Sequence, residues 1–277
     1  MPKTEVAYLG PEGTFAHLVA LQRYRNASLV PLRTIADIFD YVSKGPKRQG
    51  VVPIENSSGG TIHDTVDCLI APSCPLSVQE EMSIRVNLAL IGRKGERIRT
   101  VYSHFAPLHH CEEWLRRHFP GVEHRIVSST GEAARLVSTS KEAGAAAISA
   151  RGSAKIYKLD VLEFPIVQSI ENITQFFAVG HKNGRATNNA KSSLVVSLHN
   201  TPGSLCLFLE PFKNAGVNLS RIVSRPVMGR PNEYIFFVDI AGTEKDEAVR
   251  KALATVRKTS ISVRIAGTYP VRRPFDS

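Results

Sequence analysis

Along the first 180 residues, short uninterrupted apolar runs alternate with stretches whose apolar positions recur every three to four residues. The runs VAYLG (6–10), VVPI (51–54), VNLALIG (86–92), TVYS (100–103), AAAIS (145–149) and FFAVG (176–180) have the length and composition of buried strands. LHHCEEWLRRHF (108–119) instead sets Leu108, Cys111, Leu115 and Phe119 on one face of a helix. Strands alternating with helices predict an α/β architecture, a mostly parallel sheet with helices on its faces.

The pattern changes after GHKNGRATNNAKSS (180–193), which has almost no large apolar residue and reads as a loop or linker. A strand, SLVVSLH (193–199), precedes a helix opened by Thr201-Pro202-Gly203, with Leu205, Phe208, Leu209 and Phe212 at i, i+3, i+4, i+7. Asn214-Ala215-Gly216 stops that helix. Then come a strand through Leu219 to Val223, YIFFVDI (234–240), a charged helix near 244–258 and a last strand, SVRIAGTYPV (262–271). The order βαββαβ predicts a ferredoxin-like module. The expected division is 1–183 for the α/β part, 184–192 for the linker and 193–277 for the module. Such modules pair through sheet edges or helices, so a homo-oligomer is expected.

Composition narrows the classes. With 277 residues and 43% apolar content the chain can fill sizeable cores. No run of about eighteen uncharged apolar residues exists to span a bilayer. MPKTEVAYLG lacks the apolar core of a signal peptide, and Cys68, Cys74, Cys111 and Cys206 have neither CxxC spacing nor disulfide-scaffold density, so reduced thiols in a cytoplasm are expected. The Asn-x-Ser/Thr tripeptides at Asn56, Asn172 and Asn218 therefore read as chance or structural rather than as sugar acceptors. A net charge of +10 suits an anionic small molecule; only 7% of residues are aromatic and no basic run interleaves with them, which argues against nucleic acid.

The densest polar constellation is VVPIENSSGGTIHDTVD (51–67), where a buried strand runs into Glu55, Asn56, Ser57, Ser58 and two glycines before Thr61. Amides at such a strand-to-helix turn, with the positive end of the helix dipole, suit a carboxylate or phosphate; the same composition also makes an ordinary capped loop. LGPEGTFAH (9–17) repeats the arrangement with Thr14 before a helix, and is neither a P-loop nor a dinucleotide fingerprint. His109-His110-Cys111 has metal-ligand residue types in no zinc spacing, and no G-x-S-x-G elbow supports a serine hydrolase.

Taken in order, these motifs resemble the prephenate dehydratase family across nearly the whole chain. GPEGTFA (10–16) is similar to the family's GPxGTFS, PIENSSGGTIHDTVD (53–67) to PIENSxxGxVxxTxD, SHFAPLHHC (103–111) to SHPQALxQC, and NITQF (172–176) to N-x-TRF. The C-terminal module resembles an ACT domain, with PGSL (202–205) for PGAL and GVNLSRIVSRP (216–226) for GINLTKIESRP. The resemblance implies two α/β lobes like those of periplasmic binding proteins, with parallel or mixed sheets and a cleft active site, followed by the regulatory domain. It implies conversion of prephenate to phenylpyruvate on the route to phenylalanine, with no cofactor or metal, and leaves no segment over for a mutase.

By the same resemblance Thr174 is the catalytic residue, hydrogen bonding to the departing hydroxyl, while Thr14, Asn56, Ser57, Gly60, Thr61, Gln175 and Phe176 contact substrate. L-Phenylalanine would be held by Pro202, Gly203, Ser204, Leu205, Asn218, Leu219, Ser224, Arg225 and Pro226, shared between subunits of a homodimer or homotetramer. Three departures stand out. Gln175 replaces the family's arginine, which would weaken binding of a dianion about tenfold or more and be restored in part by Gln175→Arg; Ala106 and His110 stand where glutamines are usual; and Val223 replaces a glutamate. An arogenate dehydratase, a decarboxylase without dehydration, and a non-catalytic amino-acid sensor remain open at this point.

Overall fold

The computed structural model describes residues 4–166, 171–182, 184 and 189–276. The first lobe comprises β1 (Glu5–Leu9), α1 (Phe15–Arg23), β2 (Ser28–Leu32), α2 (Ile35–Ser43), β3 (Gln49–Asn56), the short β4 (Gly60–Thr61), α3 (His63–Ile70) and β5 (Ser77–Arg85). The chain then crosses into a second lobe of β6 (Leu88–Gly92), β7 (Thr100–Ser103), α4 (Phe105–His110), α5 (Glu112–His118), β8 (Glu123–Ile126), α6 (Thr130–Thr139), β9 (Ala145–Ala150), α7 (Gly152–Tyr157) and β10 (Asp160–Glu163). It returns to the first lobe as β11 (Ile173–Gly180).

The sheets run β2-β1-β3-β11-β5 and β10-β6-β9-β7-β8. Both are mixed, as the family resemblance allowed, rather than mostly parallel as the alternation of strands and helices alone predicts. β1 is parallel to β2 and β3, but β11 runs against β3 and β5. In the second lobe β7 is parallel to β8 and β9, and β6 runs against β9 and β10. The cause is the crossing itself: a strand arriving from the other lobe enters at the end where its neighbours finish. That places the start of β11 beside the end of β3. The helix expected over 108–119 is divided at Cys111, which adopts φ −102 and ψ 5; Leu108, Cys111 and Leu115 face inward as the spacing predicts.

The C-terminal module is β12 (Ala190–Ser197), α8 (Ser204–Asn214), β13 (Leu219–Pro226), β14 (Tyr234–Ala241), α9 (Glu247–Thr259) and β15 (Ser262–Pro270), with antiparallel order β13-β14-β12-β15. Alternation along β12 sends Leu194 and Val196 to the helices, where they meet Phe208, Phe212 and Val256. Val195 faces the other way and joins Val223, Phe237, Ala266 and Tyr269 in a core shared with Val52, Ile54, Phe177 and Val179 of the first lobe. The Phe177 ring lies 5.4 Å from Tyr269 and 6.3 Å from Phe237. The module's sheet is thus buried on both faces, one of them against the first lobe.

Two domain boundaries shift. β12 begins at Ala190, so the expected linker 184–192 gives its last three residues to a strand; positions 183 and 185–188 lie outside the described residues. The segment after Pro270 leaves the module and runs along β5: Val271 bridges Glu81, Phe275 bridges Ile84, and the Phe275 amide donates to the Ser83 carbonyl at 2.7 Å. Among the described residues, no helix is long and apolar enough to cross a membrane.

Candidate active site

β3 finishes and β11 starts side by side, and their last shared rungs pair Thr174 with Asn56 and Gln175 with Glu55. Neighbouring residues in a strand face opposite ways, so one side of these rungs carries Asn56 and Thr174 and the other carries Glu55 and Gln175. The Asn56 amide oxygen accepts from the Ser58 and Gly59 amides at 3.0 and 2.8 Å and from the Ser58 hydroxyl at 2.7 Å. Two backbone donors on the oxygen fix which way the amide is turned. Its nitrogen therefore donates to Thr174 Oγ1 at 2.9 Å and to Asn172 Oδ1 at 2.6 Å. Thr174 thus receives a hydrogen bond on its oxygen, and its own hydrogen stays available for donation.

Thr174 lines a cavity of about 860 Å³ between the lobes, into which a hydroxyl donor can be turned. From the first lobe, Thr14, Asn56, Asn172, Thr174 and Phe176 line it; from the second, His104, Ala106, Ser129 and Thr130 do. Two helices start at its wall. Thr14 caps α1, accepting from the His17 amide at 3.2 Å, and Ser129 caps α6, accepting from the Glu132 amide at 3.1 Å. The remaining first-turn amides, with the helix dipoles, favour anions from both lobes. Gly131 permits this convergence: a Cβ there would meet the Glu12 carbonyl at 2.7 Å. Ser153 of α7 closes the same junction by donating to the Gly13 carbonyl at 2.8 Å.

The charged lining residues are few. Arg33, between β2 and α2, is exposed and is the lining guanidinium. Glu132 also lines the wall, but its carboxylate is turned to Arg135 at 2.7 Å, and that hydrogen bond holds its pKa below the usual range. Behind α1, buried His17 stacks on Tyr8 with ring centroids 4.8 Å apart and accepts the Gly13 amide on Nδ1 at 3.0 Å. Burial lowers its pKa, with Glu12 opposing, so the ring is held neutral with its proton on Nε2.

The expected site residues divide accordingly. Thr174, Asn56, Thr14 and Phe176 meet at the cavity. Ser57, Gly60 and Thr61 do not line it: Ser57 Oγ accepts the Ile173 amide at 2.9 Å, holding the start of β11, while Gly60 and Thr61 pair with the end of β3. Gln175 needs correction as a substrate contact. Its side chain lies on the far face of the sheet, where its Oε1 accepts from Arg221 of β13. Sequence reasoning passed over Asn172 as chance or structural, and missed Arg33, His104 and the α6 start. For α6 a signal existed, since Ser129-x-x-Glu132 is a helix-opening pattern.

In the module, Pro202, Gly203, Ser204 and Leu205 open α8 at the end where β13 finishes with Ser224, Arg225 and Pro226; Asn218 and Leu219 lie at the opposite end of β13. Arg225 is engaged with α3, bidentate to Asp67 at 2.6 and 2.7 Å and against His63 Nδ1 at 2.8 Å.

Residues 6–184 match the family model for prephenate dehydratase and residues 192–258 that for the ACT domain. The chain belongs to the prephenate dehydratase family. Among curated relatives, the bifunctional chorismate mutase/prephenate dehydratase of Pseudomonas aeruginosa is 35% identical over 96% of this chain and 73% of its own length. The chloroplastic arogenate dehydratase/prephenate dehydratase 2 of Arabidopsis thaliana is 30% identical over 97% of this chain and 73% of its own. Of solved structures, the prephenate dehydratase of Arthrobacter aurescens in complex with L-Phe is 30% identical, covers 96% of this chain and 89% of its own, and superposes with a TM-score of 0.87. The dehydratase fold and its regulatory module are therefore both present in this chain.

Proposed function

We propose that the interlobe cavity converts prephenate to phenylpyruvate, with Thr174 as the hydrogen-bond donor to the departing hydroxyl. The observation that carries this is the Asn56–Thr174 hydrogen bond, which occupies the threonine oxygen and leaves its hydrogen for the cavity. In the reaction the bond to the ring carboxylate breaks, carbon dioxide leaves, its electron pair enters the ring, and the bond to the ring oxygen breaks. The departing oxygen ends as water, with the net proton supplied by solvent. A threonine hydroxyl does not titrate near neutrality; its hydrogen bond strengthens as charge grows on the leaving oxygen. The start of α1, the start of α6 and Arg33 offer positive charge to the two substrate carboxylates, while Phe176 supplies an apolar wall for the ring.

Arogenate differs from prephenate in carrying an ammonium. The lining carboxylate, Glu132, is already held by Arg135, which favours the keto acid. The ACT module on this reading binds phenylalanine in feedback control, within a cytoplasmic homodimer or homotetramer. The four free cysteines agree with a reducing compartment.

Turnover of prephenate and arogenate side by side, followed by the absorbance of enolised phenylpyruvate in alkali or by phenylalanine formation, tests the substrate. Thr174→Ala should lower kcat by about 10²–10³, the usual cost of one such donor, with Thr174→Ser retaining more. Wild-type kcat in Thr174→Ala would sink the assignment.

A further inference from the structure

We propose that Arg221 is a positioning residue for the dehydration, the arm through which the ACT module sets the geometry of Thr174. This rests on the reading of Thr174 and Asn56 as reacting-site residues and adds a residue from outside the cavity.

The Arg221 side chain is 4% exposed and divides its guanidinium between two domains. Within its own module it pairs with Asp239 of β14. Across the interface Nε donates to Glu55 Oε2 at 2.9 Å and Nη2 donates to Gln175 Oε1. The guanidinium carbon lies 5.3 Å from the Phe177 ring centroid, so the fork is also seated on the next residue but one of β11. Glu55 and Gln175 are ladder partners, and the neighbouring rung is Asn56 with Thr174. One module residue thus grips the back of the β3–β11 pair where its front carries the Asn56–Thr174 hydrogen bond.

The two edges of β11 are held differently at that rung. Against β5 the pairing runs in register from Ile173 to Ala178, whereas against β3 the register shifts between Gln175 and Phe176, so it is the β3–β11 pairing that is interrupted immediately beyond Gln175. A planar guanidinium hydrogen-bonded to both strands ties β3 to β11 at the point where their own pairing is irregular. Arg221 sits in β13 between Asn218–Leu219 and Ser224–Pro226, the segments that the family resemblance implies for phenylalanine. A shift of β13 on ligand binding moves Arg221, and with it Glu55 and Gln175, without any ligand contact to the cavity. Small displacements suffice, because donor placement to within a fraction of an ångström governs the rate.

The test uses the full-length protein with prephenate kinetics, phenylalanine calorimetry and the effect of phenylalanine on rate. Arg221→Met leaves Asp239 buried without its paired cation, while Glu81 keeps Lys191, and is open to misfolding. Gln175→Leu, which removes only the uncharged grip, and Arg221→Lys, which keeps the charge but loses the fork, are therefore the decisive variants. Gln175→Leu is expected to lose about tenfold in kcat with KM within twofold, since position and not affinity is disturbed. It should bind phenylalanine with wild-type affinity while losing most of the effect of phenylalanine on rate. Arg221→Lys should show the same split. Unchanged kcat in both variants, or a fall in kcat with the phenylalanine effect intact, overturns the proposal and makes Arg221 an interdomain tie only. A wild-type enzyme whose rate phenylalanine does not alter overturns its regulatory half. Failure of the underlying reading is distinguishable, because it shows as undiminished kcat in Thr174→Ala.

Discussion

Restoring the family's arginine at position 175 separates two accounts of that residue. If the side chain faced the cavity, a guanidinium there would add a charge-assisted contact to a carboxylate and lower KM about tenfold. In the structure it faces Arg221 instead. Gln175→Arg then removes the acceptor of a charge-assisted hydrogen bond, worth about 1.5–3 kcal/mol, because a guanidinium accepts nothing. It also sets two cations about 4 Å apart, a repulsion of about 4 kcal/mol at an effective dielectric constant of 20. Glu55, the ladder partner of position 175, returns an attraction of similar size. The Coulomb terms largely cancel, leaving a net loss of about 1.5–3 kcal/mol. Thermal unfolding followed by circular dichroism should show a midpoint lowered by roughly 2–4 °C per kcal/mol, while the KM for prephenate stays within twofold. A tenfold fall in KM with an unchanged midpoint would refute the placement of Gln175 on the regulatory side of the sheet.

Other outcomes follow from the cavity and its supports. Arg33→Ala should raise the KM for prephenate by roughly ten- to a hundredfold, the loss of about 1.5–3 kcal/mol of charge-assisted contact, with a smaller change in kcat; an unchanged KM leaves Arg33 without a role in binding. His17 is held neutral in the fold, so the unfolded chain takes up its proton first as pH falls through about 6.5; stability is complete above that pH and declines below it, toward the lower native pKa. Melting temperatures from pH 7.5 to 5 should fall less steeply in His17→Gln than in the wild type, and identical slopes would show that the ring titrates freely. Deleting residues 271–277 removes Phe275 from the first-lobe core and Arg272 from Glu80, and should cost about 2 kcal/mol in urea unfolding.

Much of this was legible in the chain. The apolar runs marked the strands that carry the site, and the βαββαβ pattern marked the module. β5 was not legible: SVQEEMSIR breaks its apolar pattern with Glu80 and Glu81, which are buried only because Arg23, Arg272 and Lys191 come to them from distant segments. Gln175 could have been placed by the two-residue alternation of a strand, since Thr174 and Phe176 face the cavity and the residue between them must face away. The resemblance drew attention to the loss of a charge and away from that period. Seen in the fold, the uncharged residues at 175 and 223 lie on one interface, where Arg221 now supplies the cation and Glu55 and Glu81 the anions. Arg33 carried no local signal, because its importance depends on a second lobe that begins more than fifty residues later.

The lacing of the chain after Pro270 back onto β5 bears on how such an enzyme can change its regulation. The module is sewn to the catalytic lobe at both ends and shares a core with it, so cutting it away would strip the lid from Phe177 and Val179 and unpair a sheet edge. Release from feedback is therefore open to substitution but closed to truncation. On the proposed feedback reading, deregulated descendants in an evolving population or an engineered strain should carry point changes on β13 and α8, while chains that lack the whole module should be recovered as insoluble protein.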